Sequence, residues 1–193
     1  LTKAVVIKDS IINVNNAEVI TPNNAFPYDY LVICTGSTYK SPFKDFDTIT
    51  ASRAQELTGC SQKLAQSNSV LIIGGGIEGV ELAAEIIEKY PSKKVTIVHA
   101  GAELIERNPG KARNYAYKFL SKRGVSIVLN EFVAGKEGKF YKTNKGWQIS
   151  SDLAFICTGI APNSGHLRKF FHASLGERGF LKVNQYLQVQ GFR

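Results

Sequence analysis

Hydrophobic and polar positions along this chain change period several times, and each change marks an element. Residues 4–20 carry short apolar pieces, "AVVI", "IINV" and "AEVI", separated by Asn-rich punctuation. That is the signature of a β-meander. "TPNNAFP" reads as a loop. "YDYLVICTGS" (28–37) reads as a buried strand ending in a Gly turn. Residues 38–67 are mixed, with Pro42 marking a crossing between domains and "ASRAQELTGCSQKLAQS" patterned as helix. The pattern then sharpens into strand 70–73, a glycine loop, helix 78–90 and a stop at Pro91. "KKVTIVHA" predicts a second strand, "ARNYAYKFLSKRG" a helix with Gly124 at its C-cap, and "VSIVL" a third strand. Residues 131–150 predict short antiparallel strands, and "DLAFICTG" another buried strand ending in a turn. Strand and helix alternating over 70–129 predict an α/β fold with a parallel, doubly wound sheet.

The string "ICTG" occurs twice, in "YDYLVICTGS" (28–37) and "SDLAFICTGI" (151–160). Each copy has an Asp four residues before its Ile, at Asp29 and Asp152. The copies flank the strand–helix–strand block.

"VLIIGGGIEGVELAAEI" (70–86) carries the chemistry. A bare G-x-G-x-x-G also marks ordinary turns, but here a strand precedes it and a helix opens across it. Gly74 permits the tight turn, Gly76 lets a pyrophosphate approach the backbone, and Gly79 lets helix and strand pack closely. The free N–H groups and positive end of that helix face the phosphates. Gly74, Gly75, Gly76, Ile77, Glu78 and Gly79 are therefore the candidate dinucleotide cradle. The residue closing the second strand reads the adenosine ribose: an acid suits the 2′-hydroxyl of NAD and a nearby Arg the 2′-phosphate of NADP. Here it is His99, 25 positions after Gly74. Histidine donates to a hydroxyl and, when protonated, pairs with a phosphate, so it excludes neither NADH nor NADPH. Relaxed choice between them is expected, with Glu103 close enough to take the hydroxyl. Glu81 lies two residues past Gly79, roughly 200° around the helix, and so points away from the close-packed face. Solvent or a cleft toward another domain both fit.

Composition narrows the picture. Hydrophobic residues are 44% and charged residues 21%, an ordinary globular balance. No apolar run approaches the ~20 residues of a membrane span, and the opening "LTKAVVIKDS" reads as a strand edge rather than a targeting segment. There is no Met anywhere, which suits a piece of a longer or processed protein. The net charge of +8 is spread through the chain, which suits a solvated surface and an anionic cofactor. Three cysteines, Cys34, Cys60 and Cys157, form no close pair, and three histidines show no metal-ligand spacing, so neither a disulfide framework nor a metal site is expected.

The set "YDYLVICTGS", "VLIIGGGIEGVELAAEI", "KKVTIVHA", "DLAFICTGIAPNS" and "GFLKVNQYLQVQG", in this order, resembles the FAD-dependent pyridine-nucleotide oxidoreductases. The resemblance is nearest to the ferroptosis-suppressor branch of the apoptosis-inducing-factor-like proteins, with type II NADH dehydrogenases next. It implies nested Rossmann-type domains of three-layer ββα/βα form, the NAD(P)-binding domain inserted in a split FAD-binding domain. On that pattern residues 1–42 belong to the FAD domain, 43–67 connect, 68–155 bind NAD(P)H, and 156–193 return to the FAD domain. It places Thr35 and Gly36, then Thr158 and Gly159, beside FAD. Glu81 matches a family carboxylate near flavin and nicotinamide, and Lys44 is its candidate partner. The family's first glycine-rich FAD loop and its C-terminal Gly-Asp segment are not matched in this chain. The implied reaction is hydride transfer from NADH or NADPH to FAD, then electron delivery to a quinone-type acceptor; this chain alone is expected to be inactive. Ferredoxin- or monodehydroascorbate-type reductases are alternatives, as is a redox-responsive binding protein like apoptosis-inducing factor, although nucleic acid is not an expected partner. The expected location is intracellular, in the cytoplasm or on a membrane (mitochondrion or lipid surface) through parts outside this chain.

Overall fold

The computed structural model of the chain describes residues 4–38 and 50–191. In chain order the strands β1 (Asn13–Val14), β2 (Glu18–Ile20), β3 (Ala25–Pro27) and β4 (Ser37–Thr38) come first. Then follow α1 (Thr50–Gln66), β5 (Ser69–Ile73), α2 (Ile77–Lys89), β6 (Lys94–His99), α3 (Gly110–Lys122) and β7 (Ser126–Leu129). Three short strands, β8 (Val133–Glu137), β9 (Phe140–Thr143) and β10 (Gln148–Ser150), precede β11 (Leu153–Ile156), β12 (Ala161–Pro162) and α4 (Arg168–Phe171). The chain divides into two compact units, one of Leu1–Thr38 with Ala161–Arg193 and one of Tyr39–Ile160.

In the larger unit, β11, β5, β6 and β7 lie side by side in that order and all parallel. Parallel strands need crossovers, and α2 and α3 supply them. Strand β5 is buried along its middle because both of its faces are covered. One face packs Val70, Ile72, Val95, Ile97 and Phe155 against Ala83, Ile86, Ile87 and Leu120 of the helices. The other face packs Leu71 and Val98 against Tyr141 of the antiparallel sheet β8–β9–β10. Helix α2 ends at Lys89, one residue before the position that precedes Pro91, as a following proline dictates. Helix α3 ends in a Schellman closure. Gly124 takes φ +82°, its N–H bonds the Ser121 carbonyl at 3.1 Å, and the Val125 N–H bonds the Leu120 carbonyl at 3.1 Å. Asp152 ties the first residues of β5 to β11. It accepts from the N–H of Asn68 (3.0 Å) and Ser69 (3.1 Å), the Ser69 hydroxyl (3.0 Å) and Lys139 Nζ (2.9 Å). These donors, Lys139 foremost, hold its carboxyl well below the usual carboxylate range.

In the smaller unit, β1–β2–β3 form a meander, displaced along the chain from the one expected over residues 4–20. Asn15 Oδ1 turns its first corner by accepting from the N–H of Ala17 (2.8 Å) and Glu18 (2.7 Å). Val14, Leu167 and Phe171 form its core. Three sequence expectations are corrected here. The "TPNNAFP" loop contains a strand, β3, because Thr21 closes the turn onto Asn24 and sends the chain back along β2. "AVVI" at 4–7 forms no strand, and Val5 and Val6 are exposed. "YDYLVICTGS" is not a buried strand. Residues 31–36 carry no regular structure, and Tyr30 and Val32 are 95% and 83% exposed while Leu31 and Ile33 pack on the core. A strand is defined by its hydrogen-bonded neighbour, and among the described residues no strand is paired with residues 31–36.

Candidate functional site

The glycine loop sits at the C-terminal end of β5. Gly74 has φ +119°, a conformation open to glycine, and its N–H bonds the Val98 carbonyl at 2.8 Å. A Cβ on Gly74 would overlap the Cys157 carbonyl oxygen, and a Cβ on Gly79 would overlap the Gly74 carbonyl oxygen. A Cβ on Gly75 would lie 2.5 Å from Leu104 Cδ2 and 2.9 Å from His99 Cγ. Three of the four glycines are thus demanded by the chain itself.

Gly76 is different. Its φ of −71° and ψ of −173° suit any residue, and the nearest atom to a Cβ there is Glu78 Oε2 at 3.8 Å. Nothing among the described residues requires a glycine at that position. Gly76 is the N-cap of α2, no side chain caps that end, and the first helical bond runs from the Val80 N–H to the Gly76 carbonyl. The N–H groups of Ile77, Glu78 and Gly79 therefore point out of the helix toward the open space over Gly76. Open space, uncapped donors and a helix end of positive potential are what a pyrophosphate needs, and the residues present fit one. The exposed Glu78 carboxylate stands at the rim of this space. It is a secondary cause, after burial, of the upward shift of the Cys157 thiol to about 11, which keeps that thiol protonated and inert at neutral pH.

His99 closes β6 and is half-buried beside Gly75. The loop that follows is strapped onto the glycine loop. Leu104 is buried at 1% exposure, and the Ile105 N–H bonds the Gly75 carbonyl at 2.8 Å. Glu103, read from sequence as a candidate for the ribose hydroxyl, is instead ion-paired with Arg113 (Oε2 to Nη1, 2.7 Å). Glu106 is the carboxylate beside His99. Its Oε1 accepts from the Ala102 N–H at 2.8 Å, and it and His99 Nε2 both crowd the position that a Cβ on Gly101 would take. Sequence reasoning missed Gly101, Leu104 and Glu106. The apolar pair Leu104–Ile105 between charges in "GAELIER" was the available signal.

Glu81 lies exposed on α2, as its angular offset from Gly79 predicts. Lys44 lies outside the described residues. The two "ICTG" turns share a backbone form: Gly36 has φ +67° and Gly159 φ +98°. Cys157–Thr158 passes directly against Gly74, so this turn shares the end of the sheet with the nucleotide loop. Thr35 and Gly36 are held by Asn163, another residue that sequence reasoning did not single out. Thr35 Oγ1 donates to the Asn163 carbonyl (2.9 Å), Asn163 Nδ2 to the Thr35 carbonyl (3.0 Å), and the Asn163 N–H to the Gly36 carbonyl (3.0 Å). Beside them β4 and β12, the segments that follow the two turns, pair antiparallel.

The family model described as pyridine nucleotide-disulphide oxidoreductase matches residues 3–191. The chain belongs to that family. FAD and a nicotinamide dinucleotide, NADH or NADPH, are the cofactors membership implies. Among curated relatives, ferroptosis suppressor protein 1 of Homo sapiens is 33% identical over 189 residues, covering 92% of this chain and 50% of that protein. Apoptosis-inducing factor homolog A of Dictyostelium discoideum is 35% identical over 191 residues, covering 86% of this chain and 47% of that protein. The chain thus spans about half the length of these relatives. Among solved structures, the flavoprotein disulfide reductase RclA from Escherichia coli superposes with a TM-score of 0.71 at 23% identity, covering 96% of this chain and 43% of that one. A pyridine nucleotide-disulfide family oxidoreductase from Enterococcus faecalis V583 also gives 0.71, at 18% identity over 94% of this chain and 44% of that one. The shared architecture is the α/β, Rossmann-type fold expected from the strand–helix alternation. No helix among the described residues is long and apolar enough to cross a membrane.

Proposed function

We propose that this chain is the nicotinamide-binding core of an FAD-dependent NAD(P)H oxidoreductase whose electrons pass to a quinone-type acceptor. The observation that carries the reading is Gly76, a glycine that neither backbone nor neighbours require, in front of uncapped helix donors. The relatives' names support the branch, and the resemblance of "EKYPSKKVTIVHA" to the ferroptosis-suppressor proteins supports the acceptor class. Residues 68–155 bind NAD(P)H, 1–42 and 156–193 belong to the flavin domain, and 43–67 connect them. The compact units, which part at 38/39 and 160/161, lie near those bounds.

Bound FAD supplies two-electron acceptance from the nicotinamide and release to the acceptor. The residues of this chain position that chemistry. The N–H groups after Gly76 hold the pyrophosphate, and Gly74 and Gly79 keep strand and helix close enough to aim them. His99 meets the adenosine ribose. Glu81 orients the nicotinamide, and Lys44 is its candidate partner. The backbone at Thr35–Gly36 and Thr158–Gly159 lines the flavin. Association with a lipid surface, where the acceptor dissolves, would use segments other than those described.

The test is Gly76→Val in the full-length flavoprotein. The new side chain fills the space over the loop, where a Cβ meets only the flexible Glu78 carboxylate at ordinary contact distance, so NAD+ affinity measured calorimetrically falls at least tenfold while the fold is kept. Unchanged affinity would refute the loop assignment. Loss of the oxidised flavin's visible absorbance on adding NADH, and its return with a soluble quinone, tests the electron path.

A further inference from the structure

Three features around His99 go beyond the glycine loop. The first is the crowding at Gly101. His99 Nε2 and Glu106 Oε1 both approach the point where a Cβ on this residue would lie, so the carboxylate and the imidazole flank Gly101 at the end of β6. The second is the bracing of that carboxylate. Glu106 is exposed, yet the Ala102 N–H holds its Oε1 at 2.8 Å, and Leu104 and the Ile105–Gly75 bond pin the loop between them. The third is the state of the nearby cations. Arg113 is engaged by Glu103 at 2.7 Å, and Arg107 is an exposed residue next to Glu106. A coenzyme whose pyrophosphate lies over Gly76 carries its adenosine ribose to the end of β6. There the 2′ substituent meets a fixed negative charge.

We propose that Glu106, not the residue that closes β6, selects the coenzyme, and that it favours NADH over NADPH. The carboxylate accepts from a 2′-hydroxyl and repels a 2′-phosphate, while Glu103 keeps the Arg113 guanidinium from offsetting that repulsion. His99 donates to the same hydroxyl. This replaces the relaxed coenzyme choice that a strand-end histidine by itself suggests. It rests on the reading of the glycine loop as the pyrophosphate cradle.

The test measures NAD+ and NADP+ binding to the full-length oxidised flavoprotein by calorimetry, where no turnover occurs. Glu106→Gln keeps an acceptor for the Ala102 N–H and removes only the charge. NADP+ is expected to bind about tenfold tighter in this variant, with NAD+ changed by no more than about threefold, as removal of one partly screened charge implies. The gain should shrink in about 0.5 M salt, where screening acts within a few ångströms. Glu103→Gln, which frees Arg113, should also tighten NADP+. An unchanged NADP+/NAD+ ratio in Glu106→Gln overturns the proposal, as does a ratio governed by Arg107→Ala instead. Gly76→Val separates the two levels of inference. If it weakens both coenzymes while Glu106→Gln moves neither ratio nor salt response, the cradle stands and the selector falls. If Gly76→Val weakens neither, the cradle itself is wrong.

Discussion

Gly79→Ala puts two physical effects in opposition, and the sign of the result decides between them. Alanine is the better helix former, so propensity alone would stabilise α2 by about 1 kcal/mol. The geometry opposes this. The added methyl overlaps the Gly74 carbonyl oxygen and stands 3.1 Å from its carbon and 3.3 Å from Ile72 Cγ2. That carbonyl cannot retreat, because Gly74 is bonded to Val98 on one side and packed on the Cys157 carbonyl on the other. The helix must move outward, taking Ala83, Ile86 and Ile87 from the core. Overpacking of this kind costs about 1–3 kcal/mol. For a domain of this size that lowers Tm by roughly 3–10 °C. Thermal melting followed by circular dichroism reads it directly. NAD+ affinity should fall as well, because the displaced helix carries the N–H donors away from the pyrophosphate. Gly76→Val is the control, since among the described residues a Cβ there meets nothing closer than the flexible Glu78 carboxylate. It should melt with the wild type while losing coenzyme. A Gly79→Ala protein that melts at or above the wild-type temperature would refute the argument that helix and strand are in obligatory contact at this point.

Two further outcomes are expected. Asp152→Asn should destabilise the protein at neutral pH, and the difference from wild type should narrow on acidification. The folded-state pKa of Asp152 is depressed, so its contribution is present above the ordinary carboxylate pKa and is lost as pH falls toward the lower folded value. Melting at pH 7, 5 and 3 checks this, and a gap that widens toward acid would count against it. Glu81→Ala should slow flavin reduction by NADH in stopped-flow while leaving NAD+ affinity within about twofold, because an exposed helix carboxylate contributes little to the fold. A normal reduction rate would make Glu81 an ordinary surface residue.

Much of the larger unit was legible because its signals are local. The strand before Gly74, the helix after it and the Pro91 stop each follow from periodicity or from one residue's backbone chemistry. The loop around His99 was not legible. Whether Glu103 or Glu106 stands near the end of β6 depends on where Arg113 and Gly101 lie, and both are brought in by folding of residues 100–113. The Asn163 clamp was hidden for the same reason, since its partners are 128 residues away.

The two "ICTG" strings show the division most clearly. The sequence alone determined their turns, because a glycine ending an extended run admits a positive φ that other residues resist. It also determined the alternation in "YDYLVI", whose Leu31 and Ile33 pack inward while Tyr30 and Val32 face out. Whether either run becomes a strand lay beyond it. Leu153–Ile156 is a strand because β5 lies parallel beside it and satisfies its backbone. Residues 31–36 have no paired strand among the described residues. Side-chain pattern is written in the chain, but a backbone hydrogen bond needs a second segment, and only the tertiary structure decides which segment that is.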